Sequence, residues 1–437
     1  LQITEQVPVL GDYDVIVWGG GPAGIGAAVM AGALGARTLV VERLAALGGM
    51  GTSAGLSSCC DTPGGPIFDD MVDRLCALGV GRWGQNPERY RPPGRFRYKP
   101  ATLKPVAMKM VREAGCEVLL DTVVEDAWMD GQTIRGVLVG NKAGRSLIKA
   151  RTVIDCTADG DVAASAGARF MLGDPEDGRL QHVNFRWSLA GADTDEFERA
   201  RPSDEQILAW LDEAHERGLL SCPDGAFRMS PRTFPWEPSK GGLVLGSWEI
   251  AGVNSSDPIE TSEALAQCQV AAIQLVAFCR EHLPGYQNCQ IGYLAEALGT
   301  RESRRIIGGY VLTADDVVAG AKFDDGVVKA WFWLDLHDPP PGVAMPHSLA
   351  YVKANQPPPG DWYEIPYRCL VPEDIEGLLV AGRCVSCDRP SQGSLRVIPT
   401  CIYLGSAAGA AAALAVERGL AVREVPATDV RRAVCPD

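Results

Sequence analysis

Gly19, Gly21 and Gly24 stand at G-x-G-x-x-G spacing inside VIVWGGGPAGIGAAVMAGALGARTLVVE, residues Val15 to Glu42. Glycines so spaced suit phosphate chemistry: the first permits a tight turn, the second lets a pyrophosphate approach the backbone, and the third lets a helix lie close to a strand. Pro22 and Ala23 fill the turn between the last two. Glu42, a carboxylate 18 residues beyond Gly24, can accept both hydroxyls of a ribose. The constellation implies a bound dinucleotide. Proton transfer is the second chemistry within reach, because histidine is basic near neutrality without any help from its surroundings. Of five histidines, His337 ends the aromatic stretch VVKAWFWLDLH and His347 follows Met345-Pro346. Both are candidate bases, with Tyr310 or Glu302 as alternates, although His337 could instead cap a strand or bond to Asp335 or Asp338. His182, His215 and His282 read as surface or packing residues.

The elements needed to position these groups are legible around them. Asp14 to Trp18 is a β-branched run of strand type, Ile25 to Gly35 continues as a small-residue helix, and Thr38 to Val41 is a second strand ending at Glu42. The positive end of that helix would face the phosphates.

Composition narrows the function classes. A chain of 437 residues with 46% hydrophobic content has room for two or three domains and a sizeable core. A net charge of −14, with no stretch that gathers enough Lys or Arg to form a phosphate-backbone stripe, speaks against a nucleic-acid surface. The N-terminal LQITEQVPVLGDYD lacks a signal-peptide pattern, and no uninterrupted apolar run of membrane-spanning length is expected. The fourteen cysteines are scattered through apolar runs, as buried thiols are in a reducing compartment, so a cytoplasmic location is expected. Cys384-Val-Ser-Cys387 and Cys59-Cys60 read as small packing residues rather than a redox pair, and no metal site is expected. The cluster Arg301, Glu302, Arg304 and Arg305 is either a solvated helix face or a charged patch near the active site.

Further segments extend the pattern: the loop Gly48-Gly49-Met50-Gly51-Thr52-Ser53, the strand RTVIDCT (Arg151 to Thr157) closed by ADGD, and GLLVAGR (Gly377 to Arg383) followed by SQGSLRVIPTCIYLGSAAGAAAALAVERG. With LGTRESRRIIGGYVLTADDV, LDLHDP and YEIPYRCLVPEDIEGLLVAGR, the chain resembles the FAD-dependent oxidoreductase family of the wider glutathione-reductase-like, two-dinucleotide-binding-domain flavoprotein group. The resemblance covers most of the chain. It implies a non-covalent FAD in a discontinuous domain. Gly19, Gly21, Pro22, Ala23 and Gly24 would hold the pyrophosphate, and Glu42 and Arg43 the adenosine ribose. Val124 would meet the adenine through its backbone. Gly48, Gly49 and Thr52 would line the flavin side, with Thr157 closing its strand nearby. Gly382, Arg383 and the loop to Arg396 would cover the ribityl chain and pyrimidine ring. Relatives often carry Asp after the glycine of that last strand; here Arg383 stands there, suited to a pyrophosphate. Arg396 and the end of a helix beginning near Gly405 would supply positive charge to the reduced flavin. Arg301 is a candidate active-site residue through its match to the family pattern.

The expected fold class is α/β: a discontinuous Rossmann-like FAD-binding domain, residues 11–165 and 365–425, with a mixed α+β substrate domain over 170–360. The second domain would hold Asn184 to Gly191, Gly241 to Gly252, a helix over Thr261 to His282, and the strand ending at His337. Its alternation suggests a mixed sheet, and the Pro-rich pieces Pro339 to Val343 and Gln356 to Trp362 would link it back. No second dinucleotide motif is apparent, so the expected activity is an oxidase or dehydrogenase: a small organic substrate gives up hydride, and oxygen or another acceptor reoxidises the flavin. The alternatives are isomerisation or biosynthetic internal redox of thiazole type, and an electron-transfer flavoprotein subunit. The sequence leaves a homo-oligomer open.

Overall fold

The structure is a computed structural model; it describes residues 6–84, 94–221, 244–338 and 349–435. Two compact units emerge, one comprising Leu1–Thr52, Ser57–Gly178 and Ser303–Asp437, the other Ser53–Leu56 and Arg179–Glu302.

The first unit is built on a parallel core. β1 (Val9–Trp18) leads through α1 (Pro22–Ala33) to β2 (Thr38–Val41). β6 (Glu117–Leu119) pairs with β2, and the meander β7 (Val123–Asp130), β8 (Thr133–Asn141) and β9 (Gly144–Asp155) completes the sheet, joined late in the chain by β17 (Leu378–Val380). The order is β6-β2-β1-β9-β8-β7 with β17 on β9. Strands β6, β2, β1, β9 and β17 are parallel, whereas β7 and β8 are antiparallel. Val15, Ile16 and Val17 are wholly buried, as a parallel strand covered on both faces requires. Register aligns Trp18 with Val41 on one side and with Asp155 on the other, and Val380 with Asp155. Ligands of open α/β sheets bind beyond the carboxyl ends of the strands, and the ends of these four lie level.

A small antiparallel sheet of β3 (Ser58–Cys59), β4 (Gly81–Gly84) and β5 (Arg95–Tyr98) is accompanied by α2 (Gly65–Ala77) and α3 (Pro100–Glu113). Short α4 (Asp161–Ser165) follows β9, and β10 (Phe170–Met171) pairs with β14 (Arg305–Ile306). Beyond lie α8 (Ala314–Ala319), the pair β15 (Gly326–Ala330) and β16 (Tyr363–Pro366), α9 (Leu349–Ala354), α10 (Arg389–Leu395), α11 (Ile398–Arg418) and α12 (Ala427–Val434). Helices α1 and α11 touch through glycines: a Cβ on Gly405 would stand 1.9 Å from the Ala23 oxygen, and one on Gly26 2.1 Å from the Ile402 oxygen. The glycine- and alanine-rich sequence of α11 therefore serves close helix packing. By length and composition α7 (Pro258–His282) and α11 are long and apolar enough to cross a membrane, contrary to the expectation that no uninterrupted run is; the apolar window of α11 is 94% buried inside the protein.

The second unit is an antiparallel sheet, β12-β11-β13, formed by β11 (Val183–Ala190), β12 (Val244–Ile250) and β13 (Gln290–Leu294). Helices α5 (Thr194–Ala200), α6 (Asp204–Glu216) and α7 (Pro258–His282) pack with it. Each starts at a side-chain cap, Asp193, Ser203 or Asp257, which accepts first-turn N–H groups. Ser53 belongs here because its carbonyl accepts from Glu296 N at 2.8 Å and Tyr293 Oη at 2.7 Å.

Four expectations need correction. The middle sheet is antiparallel among the described residues, not mixed. The units divide at 179 and 302 rather than at 170 and 360, because β15 pairs with β16 and carries the segment after it into the first unit. The aromatic strand stops at Ala330; Trp331 N donates to Thr62 Oγ1 and Leu334 N to the Asn355 carbonyl, so the chain leaves its ladder well before His337. Helix α11 begins at Ile398, not near Gly405. His347 and Pro339 to Val343 lie outside the described residues.

Candidate active site

The glycine turn closes as its spacing requires. Gly19 adopts φ +92°, and a Cβ there would meet the Cys156 carbonyl oxygen at 2.5 Å, so the turn lies flat on the end of β9. A Cβ on Gly24 would stand 1.8 Å from the Gly19 oxygen. Gly21 differs: a Cβ there would meet nothing within 4 Å. It is the N-cap of α1, without a side-chain hydrogen bond, and Pro22 opens the helix. The amino end of α1 thus carries no side-chain cap, and the space beside Gly21 is open to an anionic ligand at the positive end of a helix.

Glu42 shapes the rim. Its carboxylate accepts from Gly20 N at 2.6 Å and Leu44 N at 2.8 Å, leaving lone pairs for ribose hydroxyls. Burial raises its pKa, and the two amides with Arg43 oppose the rise. Arg43 itself is exposed. Thr122 N donates to the Glu42 carbonyl at 3.2 Å, which brings Val124, at the start of β7, beside that rim. Gly48 N donates to the Gly20 carbonyl at 2.7 Å, and a Cβ on Gly49 would lie 3.1 Å from Gly21 Cα, so the second glycine loop runs along the first. Thr52 Oγ1 ties the loop by donating to the Leu47 carbonyl at 2.9 Å. Gly382, at φ +89°, places its Cα where a Cβ would come within 3.0 Å of Ala23 Cβ. Sequence-distant glycines thus converge on one cradle, and its donors and open volume fit an FAD pyrophosphate and ribose.

Arg383 is placed differently from the expectation that it meets a pyrophosphate. Its guanidinium donates to Asp159 Oδ1 at 2.6 Å and to Ser303 Oγ at 2.9 Å. Burial alone would raise the Asp159 pKa, yet Arg383 and Ser303 hold it below the usual carboxylate value. Ala158, just before it, is held at φ +70°, an uncommon conformation that fixes this turn. Thr157 is likewise committed: its N and Oγ1 donate to Asp155 Oδ1 at 3.0 and 2.6 Å. Asp155 is fully buried, and desolvation pushes its pKa up to about 6 against those hydrogen bonds.

A charged cluster forms where the segment after β15 crosses α10. A Cβ on Gly393 would strike the Asp335 backbone at 2.8 Å, so that glycine admits the crossing. Asp335 is the hub. His337 Nε2 lies 3.2 Å from its carboxylate; Arg396 Nη2 donates to its carbonyl at 2.7 Å and reaches the carboxylate at 3.5 Å. Asp335 and Arg396, with Arg95, are charged neighbours of Cys60, whose thiol burial pushes upward. Arg396 stands two residues before α11, and Ile398 Cδ1 stands 3.5 Å from where a Cβ on Gly51 would be, which ties this corner to the second glycine loop. The positive helix end sought at Gly405 is therefore at Ile398, and Gly405 is a packing residue.

Two other candidates fall elsewhere. Tyr310 Oη donates to Asp316 Oδ2 at 2.9 Å within the capping box of α8; desolvation and that carboxylate push its pKa up to about 12, which disqualifies it as a base near neutrality. Arg301, in the second unit, donates to the His182 carbonyl at 2.6 Å and Glu249 Oε1 at 2.7 Å, so it fastens that unit's strands. Cys384 and Cys387 are buried and outside any disulfide. At the level of sequence Asp335 enters only as an alternative bonding partner of His337, and that contact is present here; Asp159 enters only as part of the turn ADGD, with no role.

The structures of a geranylgeranyl bacteriochlorophyll reductase-like protein from Thermoplasma acidophilum (13% identity, 94% of this chain and 80% of that one, TM-score 0.45) and of p-nitrophenol 4-monooxygenase from Pseudomonas putida DLL-E4 (12%, 97% and 85%, TM-score 0.47) are similar to this chain. Thiamine thiazole synthase of Aeropyrum pernix is 32% identical over 142 residues, 32% of this chain and 49% of that protein, so the chain spans about half the length of that curated relative. A family model described as FAD dependent oxidoreductase matches residues 14–434. With the cradle and the match spanning nearly the whole sequence, the chain belongs to the FAD-dependent oxidoreductase family, with FAD as its cofactor.

Proposed function

We propose that this flavoenzyme removes hydride from a C–H bond next to oxygen or nitrogen in a small organic substrate and is reoxidised by oxygen or another acceptor. Within the family we assign it to the glutathione-reductase-like group, in the cytoplasm; fourteen cysteines, free wherever they are described, suit a reducing compartment. The observation that carries the reading is Asp335, one carboxylate holding both His337 and Arg396 beside the glycine loop.

Gly19, Gly21 and Gly24 would hold the FAD pyrophosphate, Glu42 the ribose, Val124 the adenine, and Gly48, Gly49, Thr52 and Gly382 the flavin side. When bound, FAD supplies the hydride acceptor. The chain's own groups handle the proton and the charge. With Nε2–H directed at Asp335, the basic lone pair of His337 is on Nδ1, which takes the substrate O–H or N–H proton as the C–H bond breaks and leaves a carbonyl or imine. Asp335 orients the imidazole and balances the imidazolium. Arg396 and the amino end of α11 present positive charge to the corner where negative charge grows.

Anaerobic mixing of the yellow protein with panels of alcohols and amines tests this: one class bleaches the flavin, and His337→Asn keeps FAD yet is bleached on the order of 10²-fold more slowly by the same compound. Wild-type bleaching by no alcohol or amine, or an unchanged rate in His337→Asn, overturns the hydride scheme or the base assignment respectively. A thiazole-forming activity is a second reading, favoured by the 142-residue similarity to thiamine thiazole synthase. It would show as a thiazole product by mass spectrometry without bleaching by alcohols or amines.

A further inference from the structure

Helix α7 buries one face in the core of the second unit through residues such as Cys268, Leu275 and Phe278. Its opposite face carries an apolar stripe in solvent: Val270 is 52% exposed and Ile273 66%. The exposed positions Glu263, Ala266, Val270, Ile273, Ala277 and Arg280 are spaced alternately by three and four residues, the seam of a coiled coil. The order of residues along this seam is self-complementary. Reversed about a point midway between Ala271 and Ala272, Val270 meets Ile273, Ala266 meets Ala277, and Glu263 meets Arg280. Antiparallel helices pair their seam positions in this way, and a two-fold axis makes every such pair occur twice.

We infer that α7 is the contact helix of a two-fold symmetric dimer, in which two copies lie antiparallel with Val270 and Ile273 at the centre and Glu263–Arg280 ion pairs at both ends. The charges select a second copy rather than an arbitrary apolar partner: one acidic and one basic residue, equidistant from the centre, match only when the helix meets itself reversed. Gln267 and Gln269 flank the centre of the seam without charge, so no like charges face each other there. Glu263 already accepts from Gln267 Nε2 at 2.7 Å, and Arg280 Nε donates to the Cys289 carbonyl at 2.8 Å, which holds each charged group at its end. At 25 residues the helix is about 37 Å long, and the small Ala266 and Ala277 allow the two axes to approach closely.

The test is sedimentation velocity of the FAD-loaded full chain from submicromolar to about 100 µM, where a modest helical interface should be half associated in the micromolar range. Ile273→Asp, placed in solvent in the monomer, should weaken association by about 100-fold or more, with flavin occupancy and circular dichroism unchanged. Glu263→Arg should weaken it by about tenfold by setting arginine against arginine, and the double variant Glu263→Arg/Arg280→Glu should recover it. Four results would overturn the inference: a monomer throughout the range, a dimer indifferent to Ile273→Asp, a charge reversal without rescue, or a monomer that instead binds phosphatidylcholine vesicles through Ile273.

Discussion

Gly21→Val separates the cradle from the fold. In the protein alone the new Cβ meets nothing within 4 Å, and φ −70°, ψ −170° is a backbone any residue adopts. The intramolecular cost is then limited to replacing a glycine N-cap, about 1 kcal/mol or less. With a pyrophosphate against that backbone the added side chain overpacks the site, which costs about 1–3 kcal/mol and so weakens FAD by roughly 5- to 150-fold. Gly24→Ala is the contrast. Its Cβ starts 1.8 Å from the Gly19 oxygen, so turn and helix must part by about 1.6 Å to reach ordinary contact, and both stability and FAD are lost. Fluorescence titration of apo-protein with FAD, alongside thermal melting of the same samples, reads both quantities. Wild-type FAD affinity in Gly21→Val would refute the assignment of the open space to a phosphate. An apo melting temperature as low as that of Gly24→Ala would refute the claim that the space is empty of protein.

Two further outcomes concern carboxylates of the first unit, the buried Asp155 and the partly buried Asp159. Asp155, raised to about 6 in the folded state, binds more protons folded than unfolded, so its contribution to stability falls as pH rises from about 4 through about 6, by about 3 kcal/mol; Asp155→Asn should flatten that part of the apo-protein's melting-temperature profile, and an unaltered profile would assign the slope to other groups. Arg383→Ala leaves the partly buried Asp159 without its cation and should cost about 2–3 kcal/mol in denaturant unfolding, whereas Arg383→Ala/Asp159→Ala should recover part of it; a double variant no better than the single would mean that Arg383 acts through something other than Asp159.

The cradle was legible because its information is local. A strand, three glycines and a helix follow one another within a few residues, and a positive φ at Gly19 or a 1.8 Å approach at Gly24 can be met only by glycine, so geometry is written directly into residue type. The parallel core and β17's return to it were readable for a related reason: short apolar runs followed by glycine suit buried strands. The charged corner was legible only in part. The His337–Asp335 contact joins residues two apart and was open to reading, whereas Arg396 reaches Asp335 because Gly393 lets one segment cross α10, a contact between stretches about sixty residues apart that no local pattern encodes. The same long-range packing moved Tyr310 into a helix cap, turned Arg301 into a fastener of the antiparallel unit, engaged Arg383 with Asp159, and made Gly405 a contact between helices. Each of these residues has a type suited to several tasks. For an arginine or a tyrosine the partner decides the task, and partners are chosen by tertiary packing, whereas a glycine in a forced turn has its reason in its own backbone.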